Sequence, residues 1–123
     1  MVGVGVPAPG GKAPTPWLSD LRQLVDTATS LHPAVMAGDF EATFGHQPFE
    51  DLLATGLRDA GERANAGWQP TWPVDRKTLS VPWPLLTQPD HVLLGSTLTA
   101  VDQVTVVVPG SDHRGVLATL AFR

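Results

Sequence analysis

Two runs of apolar residues close to the C-terminus, 104–108 and 115–120, are separated by only six residues. The runs are rich in Val, Leu and Ala, and the connection contains Pro, Gly and Ser, which together predict two buried strands joined in a hairpin. The connection also places Asp112 beside His113 at the edge of the predicted sheet. A carboxylate and an imidazole between buried strands are costly to desolvate unless they bind or react with another group. The hairpin therefore limits both the fold and the chemistry expected of the chain.

Upstream of the hairpin, the apolar pattern predicts alternating strands and helices. Residues 2–6 alternate Val with Gly, which indicates a strand whose glycines approach another backbone. Apolar residues recur at helical spacing over about 16–31, and a second helix is predicted from Pro48 to just before Gly56. The other predicted elements are strands at 34–38, 91–95, 101–108 and 115–122, a brief strand or turn at 57–60, and a long loop at 61–88 held by Trp68, Trp72 and Trp83.

Composition limits the chain to one domain at most. Its 123 residues include 42% hydrophobic and 16% charged residues, which is ordinary for a globular protein, and the net charge of −4 gives no broad basic surface for nucleic acid. No apolar run approaches the ~20 residues of a membrane-spanning helix, and no secretory signal is evident, so we expect a soluble chain. Two helices cover only one face of a sheet, and the uncovered face predicts self-association.

Acidic and imidazole side chains occur where three predicted strands begin or end. Asp39 ends one strand, Asp90 opens another, and Asp112 and His113 lie in the hairpin turn. Carboxylates with histidine and without cysteine favour Mg²⁺ or Mn²⁺ over structural zinc. Each cluster also has a structural interpretation, because an Asp at a strand end is commonly a turn former or a helix cap.

The other histidines favour structural roles. His91 opens a strand and is predicted to be packed or exposed rather than a ligand, and His32 and His46 lie in loops. A zinc site built from the four histidines of the chain is disfavoured, because only His91 and His113 lie beside carboxylates.

Three segments resemble, in order, the last three motifs of the endonuclease/exonuclease/phosphatase superfamily, which has the DNase I-like fold. They read Val-Met-Ala-Gly-Asp-Phe at 35–40, Pro-Asp-His-Val-Leu-Leu at 89–94 and Pro-Gly-Ser-Asp-His-Arg at 109–114. Segments between 46 and 73 resemble bacterial members whose domain often follows membrane helices. The resemblance implies an α/β fold, the DNase I-like four-layer sandwich, of which residues 1–123 supply about half as the C-terminal portion. We expect a mixed, mainly antiparallel sheet with two helices on one face.

The resemblance also implies a chemistry, the hydrolysis of phosphoester bonds with Mg²⁺ or Mn²⁺. By motif, Asp112 is expected to contact the metal, and His113 to engage the scissile phosphate or the water. Asp90 is expected to orient His113, and Asp39 to act on the attacking water or the leaving oxygen. Thr43 lies beside this site without an assigned role.

The chain departs from the superfamily pattern in two respects. The Gly-Asp-Phe-Asn motif ends here in Glu41, where an amide donor has become a carboxylate that repels phosphate unless it is protonated or bound to metal. The N-terminal half of the superfamily's domain, which supplies a metal-binding Glu and an Asn, has no counterpart in the chain. Gly5 or its neighbours stand where the superfamily has a polar residue on the first strand.

Two hypotheses fit these residues. The chain is a truncated or split phosphodiester hydrolase with impaired activity, or it is a non-catalytic remnant or interaction module that pairs through its uncovered sheet face. The first implies a phosphoester substrate, with nucleic acid and phospholipid head groups not distinguished. The second implies a second copy of the chain or the missing N-terminal half as partner. Full-length relatives are often membrane-anchored, although the chain itself holds no predicted membrane segment.

Overall fold

The computed structural model describes residues 1–6, 15–74 and 87–123. In chain order the elements are β1 (Val2–Gly5), α1 (Thr15–Leu31), β2 (Val35–Asp39), α2 (Gln47–Leu53), β3 (Arg58–Asp59), α3 (Ala60–Arg63), β4 (Asp90–Leu94), β5 (Leu98–Val106) and β6 (Gly115–Phe122). Both predicted helices and all predicted strands are present, whereas the short α3 was not predicted. Trp83, an expected anchor of the long loop, lies outside the described residues.

Four strands form a mixed sheet in the order β1-β2-β4-β3. β1 and β2 are parallel, and β4 is antiparallel to both of its neighbours, as the predicted mixed and mainly antiparallel sheet requires. The predicted close approach of two backbones occurs at Gly38, where φ is +144° and a Cβ atom would collide with the Val4 carbonyl oxygen. The expectation that the β1 glycines make this approach is wrong, because Cβ positions built at Gly3 and Gly5 meet no described atom within 4 Å.

One face of the sheet packs against α1 and α2, as predicted. Side chains alternate between the two faces of a strand, so Met36 of β2 and Leu93 of β4 point towards the helices. Buried residues of the two helices complete this core: Leu21, Ala28, Phe49 and Leu52. Within the described ranges, no helix has the length and apolar character needed to cross a membrane.

The opposite face packs against α3 and a two-stranded sheet formed by β5 and β6. Leu94 of β4, Ala60 of α3 and Ala100 of β5 are buried together, and Ala118 and Leu120 of β6 pack against them. The expectation that nothing in the chain covers this face is therefore wrong. The C-terminal strands leave the central sheet and fold over it, which gives the layer order helix, sheet, sheet.

β5 and β6 form the predicted antiparallel hairpin, with Val104 opposite Leu117 and Val106 opposite Gly115. Opposite residues share a face, and this face points away from the core. Leu117 is 58% exposed, Val104 41% and Val106 40%. The prediction of two fully buried strands is therefore correct for only one face, and we refer to Val104, Val106 and Leu117 as the hairpin outer face.

Candidate active site

The polar residues predicted at strand ends meet at one edge of the central sheet. Asp39 is the last residue of β2 and Asp90 the first of β4, and antiparallel pairing places them directly opposite each other. The connection between β5 and β6 brings His113 to the same edge, within contact distance of both carboxylates. Strand register therefore assembles residues that are far apart in the sequence.

Asp90 holds the ring of His113 in place. Imidazole Nδ1 lies 2.7 Å from Asp90 Oδ2, and the same oxygen accepts a hydrogen bond of 2.6 Å from Thr71 Oγ1. The Arg114 amide also donates to the Thr71 carbonyl oxygen at 2.8 Å, which ties the hairpin turn to this segment. An ionised carboxylate only accepts hydrogen bonds, so Nδ1 carries the proton and Nε2 faces Asp39, whose Oδ2 is 3.9 Å away.

The surrounding charges favour the protonated form of His113. Partial burial opposes a charge on the ring, but the hydrogen bond with Asp90 and the negative charges of Asp90, Asp39 and Asp112 outweigh it and raise the pKa of His113 above its ordinary 6.5. In the imidazolium form, Nε2 also carries a proton. The ring can then donate this proton to an anionic group at the sheet edge.

Glu41 lies beside Asp39 in the turn that follows β2. Its φ of 47° is in the left-handed region. The Glu41 amide donates to Asp39 Oδ1 at 2.8 Å, and Trp17 Nε1 donates to the Glu41 carbonyl oxygen at 3.1 Å. Partial burial, followed by the charge and hydrogen bond of Asp39, raises the pKa of Glu41 from 4.5 to about 7, against an opposing effect of His113. A large share of Glu41 is therefore protonated near neutral pH.

Asp39, Glu41 and His113 are the one group of three potential metal-binding side chains in the described ranges, with ligand atoms all within 4.8 Å of one another. Two carboxylates and an imidazole nitrogen form a donor set that suits a divalent cation. Asp112, the metal ligand expected from the sequence, lies outside this group. It is exposed, and its carboxylate accepts a hydrogen bond from Trp72 Nε1 at 3.3 Å.

The sequence matches a known protein family over most of its length. Residues 2–113 match the model of the Endonuclease/Exonuclease/phosphatase family. The chain belongs to this family. No curated protein matches the sequence significantly.

Several solved structures share the fold of the chain. A functionally unknown conserved protein from Enterococcus faecalis V583 superposes with a TM-score of 0.70 at 16% identity, covering 98% of this chain and 49% of that one. The endonuclease/exonuclease/phosphatase from Bacteroides vulgatus gives 0.65 at 18% identity, covering 88% and 44%. TDP2 from D. rerio, complexed with single-strand DNA product, gives 0.66 at 17% identity, covering 87% and 50%. The chain thus spans about half the length of these proteins.

Little in the sequence marks two residues that make contacts within the candidate site. No role was predicted for Thr71 or Trp17, whose contacts join segments 19 and 24 residues apart along the chain. Thr71 lies within the segment 67–73, whose resemblance to bacterial relatives was its only signal. Thr43 lies two positions beyond Glu41, and its amide donates to His46 Nδ1 at 3.1 Å.

Of the two placements expected for His91, packed or exposed, the structure shows the packed one, since the residue is only 2% exposed. Its ring lies among the aromatic rings of Phe40, Phe44 and Phe49. Imidazole Nδ1 is 2.8 Å from Asp59 Oδ2, a contact that the sequence did not predict.

Proposed function

We propose that the chain carries catalytic residues of a metal-dependent phosphoester hydrolase and that Glu41 reduces its activity. The observation that carries the proposal is the 2.7 Å contact of His113 Nδ1 with Asp90 Oδ2, with Asp39 opposite Asp90 in the sheet. This contact leaves Nε2 of His113 and the carboxylate of Asp39 facing each other. A phosphoryl group bound there meets a proton donor and a proton acceptor.

The two faces of His113 have different roles in the proposal. Asp90 accepts a hydrogen bond from Nδ1, which fixes the ring orientation and favours the imidazolium, and Thr71 in turn donates a hydrogen bond that holds Asp90. The Nε2 proton is then donated to a phosphoryl oxygen, whose negative charge it offsets. Asp39 accepts a proton from the attacking water or lies beside the leaving oxygen. All these steps use groups that the structure already brings together.

A divalent cation fits the carboxylates of Asp39 and Glu41, whose oxygens suit Mg²⁺ and Mn²⁺, while Nε2 of the neighbouring His113 is kept for the phosphoryl group. Glu41 is the main proposed ligand, because a bound cation also offsets its repulsion from Asp39. When bound, such an ion polarises a phosphoryl oxygen and stabilises the leaving oxygen. The expectation that Asp112 is a ligand stays a prediction.

Glu41 is the proposed cause of reduced activity. As a carboxylate it repels an anionic phosphoester, whereas the Asn of the superfamily motif donates a hydrogen bond. The raised pKa of about 7 means that a neutral carboxylic acid is accessible, and this form can donate a hydrogen bond as the amide does. Glu41→Asn keeps an oxygen for the cation and adds an amide donor, so we expect it to weaken binding of the ion but to increase turnover at saturating Mn²⁺.

Turnover of a generic phosphodiester, bis(p-nitrophenyl) phosphate, with Mn²⁺ or Mg²⁺ tests this proposal. We expect measurable turnover that falls about 10²–10⁴-fold in Asp39→Ala and in His113→Ala. His32→Asn is the control, because His32 is exposed, at the end of α1, and Asn tolerates its φ of 45°. No turnover by the wild-type chain with either ion, or unchanged turnover after His113→Ala, would contradict the proposal.

The substrate class is a separate question. TDP2 of D. rerio was solved with a single-strand DNA product, which supports nucleic acid as a candidate, while the net charge of −4 disfavours tight non-specific DNA binding. Phospholipid head groups are the other candidate. Rates on a single-stranded oligonucleotide and on a phospholipid in detergent micelles distinguish the two.

A second candidate function is that of an interaction module without catalysis. The hairpin outer face favours it, because exposed apolar side chains on a sheet are typical of a surface that pairs with another chain. Absence of turnover together with a concentration-dependent dimer would support this alternative.

A further inference from the structure

A second acid–imidazole pair lies beneath the site and is not used by the proposed chemistry. The side chains of His91 and Asp59 are 0% and 1% exposed, and His91 Nδ1 lies 2.8 Å from Asp59 Oδ2. The other ring nitrogen, Nε2, lies 3.0 Å from the carbonyl oxygen of Ala42. Both nitrogens of a fully buried ring therefore have defined partners.

The partners determine which way the ring donates. A carbonyl oxygen can only accept, so Nε2 carries a proton and donates it to Ala42. Asp59 is itself held, because its Oδ1 accepts from the amide of Glu62 at 3.1 Å and so caps α3. A continuous series of hydrogen bonds thus runs from α3 through Asp59 and His91 to Ala42.

Ala42 follows the residue whose placement matters most in the proposed site. Glu41 occupies a left-handed backbone conformation, with φ of 47°, directly after Phe40, whose amide donates to the Pro89 carbonyl oxygen at 2.9 Å. The hydrogen bond from His91 holds the other side of this turn. Neighbouring residues of β4 therefore support the site twice, since Asp90 holds His113 and His91 holds the turn at 40–42.

We infer that His91 is a positioning residue: by donating its Nε2 proton to Ala42 it fixes the turn that places Glu41 beside Asp39 and His113, and Asp59 fixes the orientation of its ring. The consequences of this role for metal binding and catalysis rest on the proposed function. The effect of His91 on the conformation of the turn at 40–42 does not depend on the proposed function. The alternative is a histidine that only fills space among three phenylalanine rings.

A pair of substitutions separates these roles. The amide nitrogen of Gln lies close to where histidine Nε2 lies, and that of Asn close to Nδ1. His91→Gln therefore keeps a donor for Ala42, and His91→Asn keeps only a donor for Asp59. Both remove the aromatic ring, and Asn also leaves one methylene more of empty space, which lowers the free energy of unfolding. A residue that only fills space therefore gives similar exchange in the two variants once that difference in stability is corrected for.

Hydrogen exchange followed by NMR is the deciding measurement. We expect exchange of the Glu41 amide and of the Trp17 indole proton to be at least about tenfold faster in His91→Asn than in His91→Gln, after correction for the free energy of unfolding. We expect His91→Asn also to weaken Mn²⁺ binding about tenfold by calorimetry, with a lower kcat, and His91→Gln to stay within about threefold of the wild type. Equal exchange in the two variants would overturn the inference.

Two further outcomes are informative. If the wild-type chain binds no Mn²⁺, the metal dependence in the proposed function is contradicted. The comparison of hydrogen exchange in the two variants still tests whether His91 fixes the turn at 40–42. If His91→Asn does not fold, the wild-type spectrum decides instead. We expect a protected His91 Nε2 proton with a cross-peak to residues 41–42, and its absence would overturn the inference.

Discussion

Asp39 and Asp90 lie directly opposite each other where β2 and β4 pair, and His113 lies against both. Two carboxylates at one sheet edge repel each other, and an imidazolium between them offsets this repulsion. The ring is 2.7 Å from Asp90 through Nδ1 and 3.9 Å from Asp39 through Nε2. The unequal distances give the two carboxylates different roles. Asp90 fixes the orientation of the His113 ring through Nδ1, and Asp39 faces Nε2 on the other side of the ring.

Replacing Asp90 tests its hold on His113. In Asp90→Asn the hydrogen-bonded negative charge is lost, so we expect the pKa of His113 to fall from its raised value. The imidazolium form then disappears at lower pH, and the high-pH limb of any pH–rate profile moves in the same direction. An NMR titration of the His113 Cε1 proton measures this without requiring activity.

Asp102→Asn is the matched control for that titration, because Asp102 is an exposed carboxylate on β5 and not among the charges that raise the pKa of His113. It removes the same net charge from the chain. An equal shift of His113 in the two variants would mean that general charge, rather than the Asp90 contact, sets the titration.

Glu41 is expected to destabilise the folded chain at high pH. Because its folded-state pKa is raised from 4.5 to about 7, its contribution to stability is fully present below pH 4.5 and is lost as the pH rises through about 7. Glu41→Gln keeps the uncharged shape at every pH. We expect it to raise Tm by a few degrees at pH 8 and to leave Tm unchanged at pH 4, measured by circular dichroism. Glu62→Gln, an exposed carboxylate on α3, serves as the control.

Cation binding can be assigned residue by residue. We expect Asp39→Asn and Glu41→Gln each to weaken Mn²⁺ binding at least about tenfold by calorimetry, because each removes a charged oxygen ligand. Asp112→Asn tests the ligand expected from the superfamily motif. A loss as large as that of Glu41→Gln would add Asp112 to the ligands, and wild-type affinity would remove it. Unchanged affinity in all three variants would contradict a metal site here.

Local pattern predicted the elements of the fold but not all of their arrangement. The hairpin, β2 and β4 have continuous apolar runs, and α1 has helical spacing, so each was visible within one segment of the chain. That β5 and β6 form a separate sheet over the second face depends on the packing of Ala100, Ala118 and Leu120 against Leu94. Such contacts join residues that are close only after folding, and no single segment encodes them.

The residues of the candidate site also differ in how far they could be predicted from the sequence. Asp39, Asp90 and His113 were predicted because each lies at the end or the turn of a recognisable strand. Asp59 lay in the predicted brief strand or turn at 57–60 and had no predicted role, since its partner His91 lies 32 residues away and on another strand. Glu41 was identified as a departure from the motif, but its raised pKa depends on its burial beside Asp39 in the folded turn.

The exposed apolar side chains of the hairpin outer face predict that the chain self-associates. Val104, Val106 and Leu117 are all at least 40% exposed on the outer face of a two-stranded sheet that no other described element covers. Exposed apolar side chains that lie together on a strand pair favour burial against another surface. We expect sedimentation velocity over about a hundredfold range of concentration to show a dimer that grows with concentration.

Substitutions on the hairpin distinguish this face from other causes of association. Leu117→Lys and Val104→Lys place a charge on the apolar surface, so we expect each to shift the equilibrium at least about tenfold towards the monomer. Thr29→Lys is the control, because Thr29 is exposed on α1, which packs on the opposite face of the central sheet from the hairpin. A wild-type chain that stays monomeric over the whole range would contradict the prediction. A dimer unaffected by Leu117→Lys would show that the chain associates through another surface, because a buried lysine at this position opposes any interface built on the hairpin outer face.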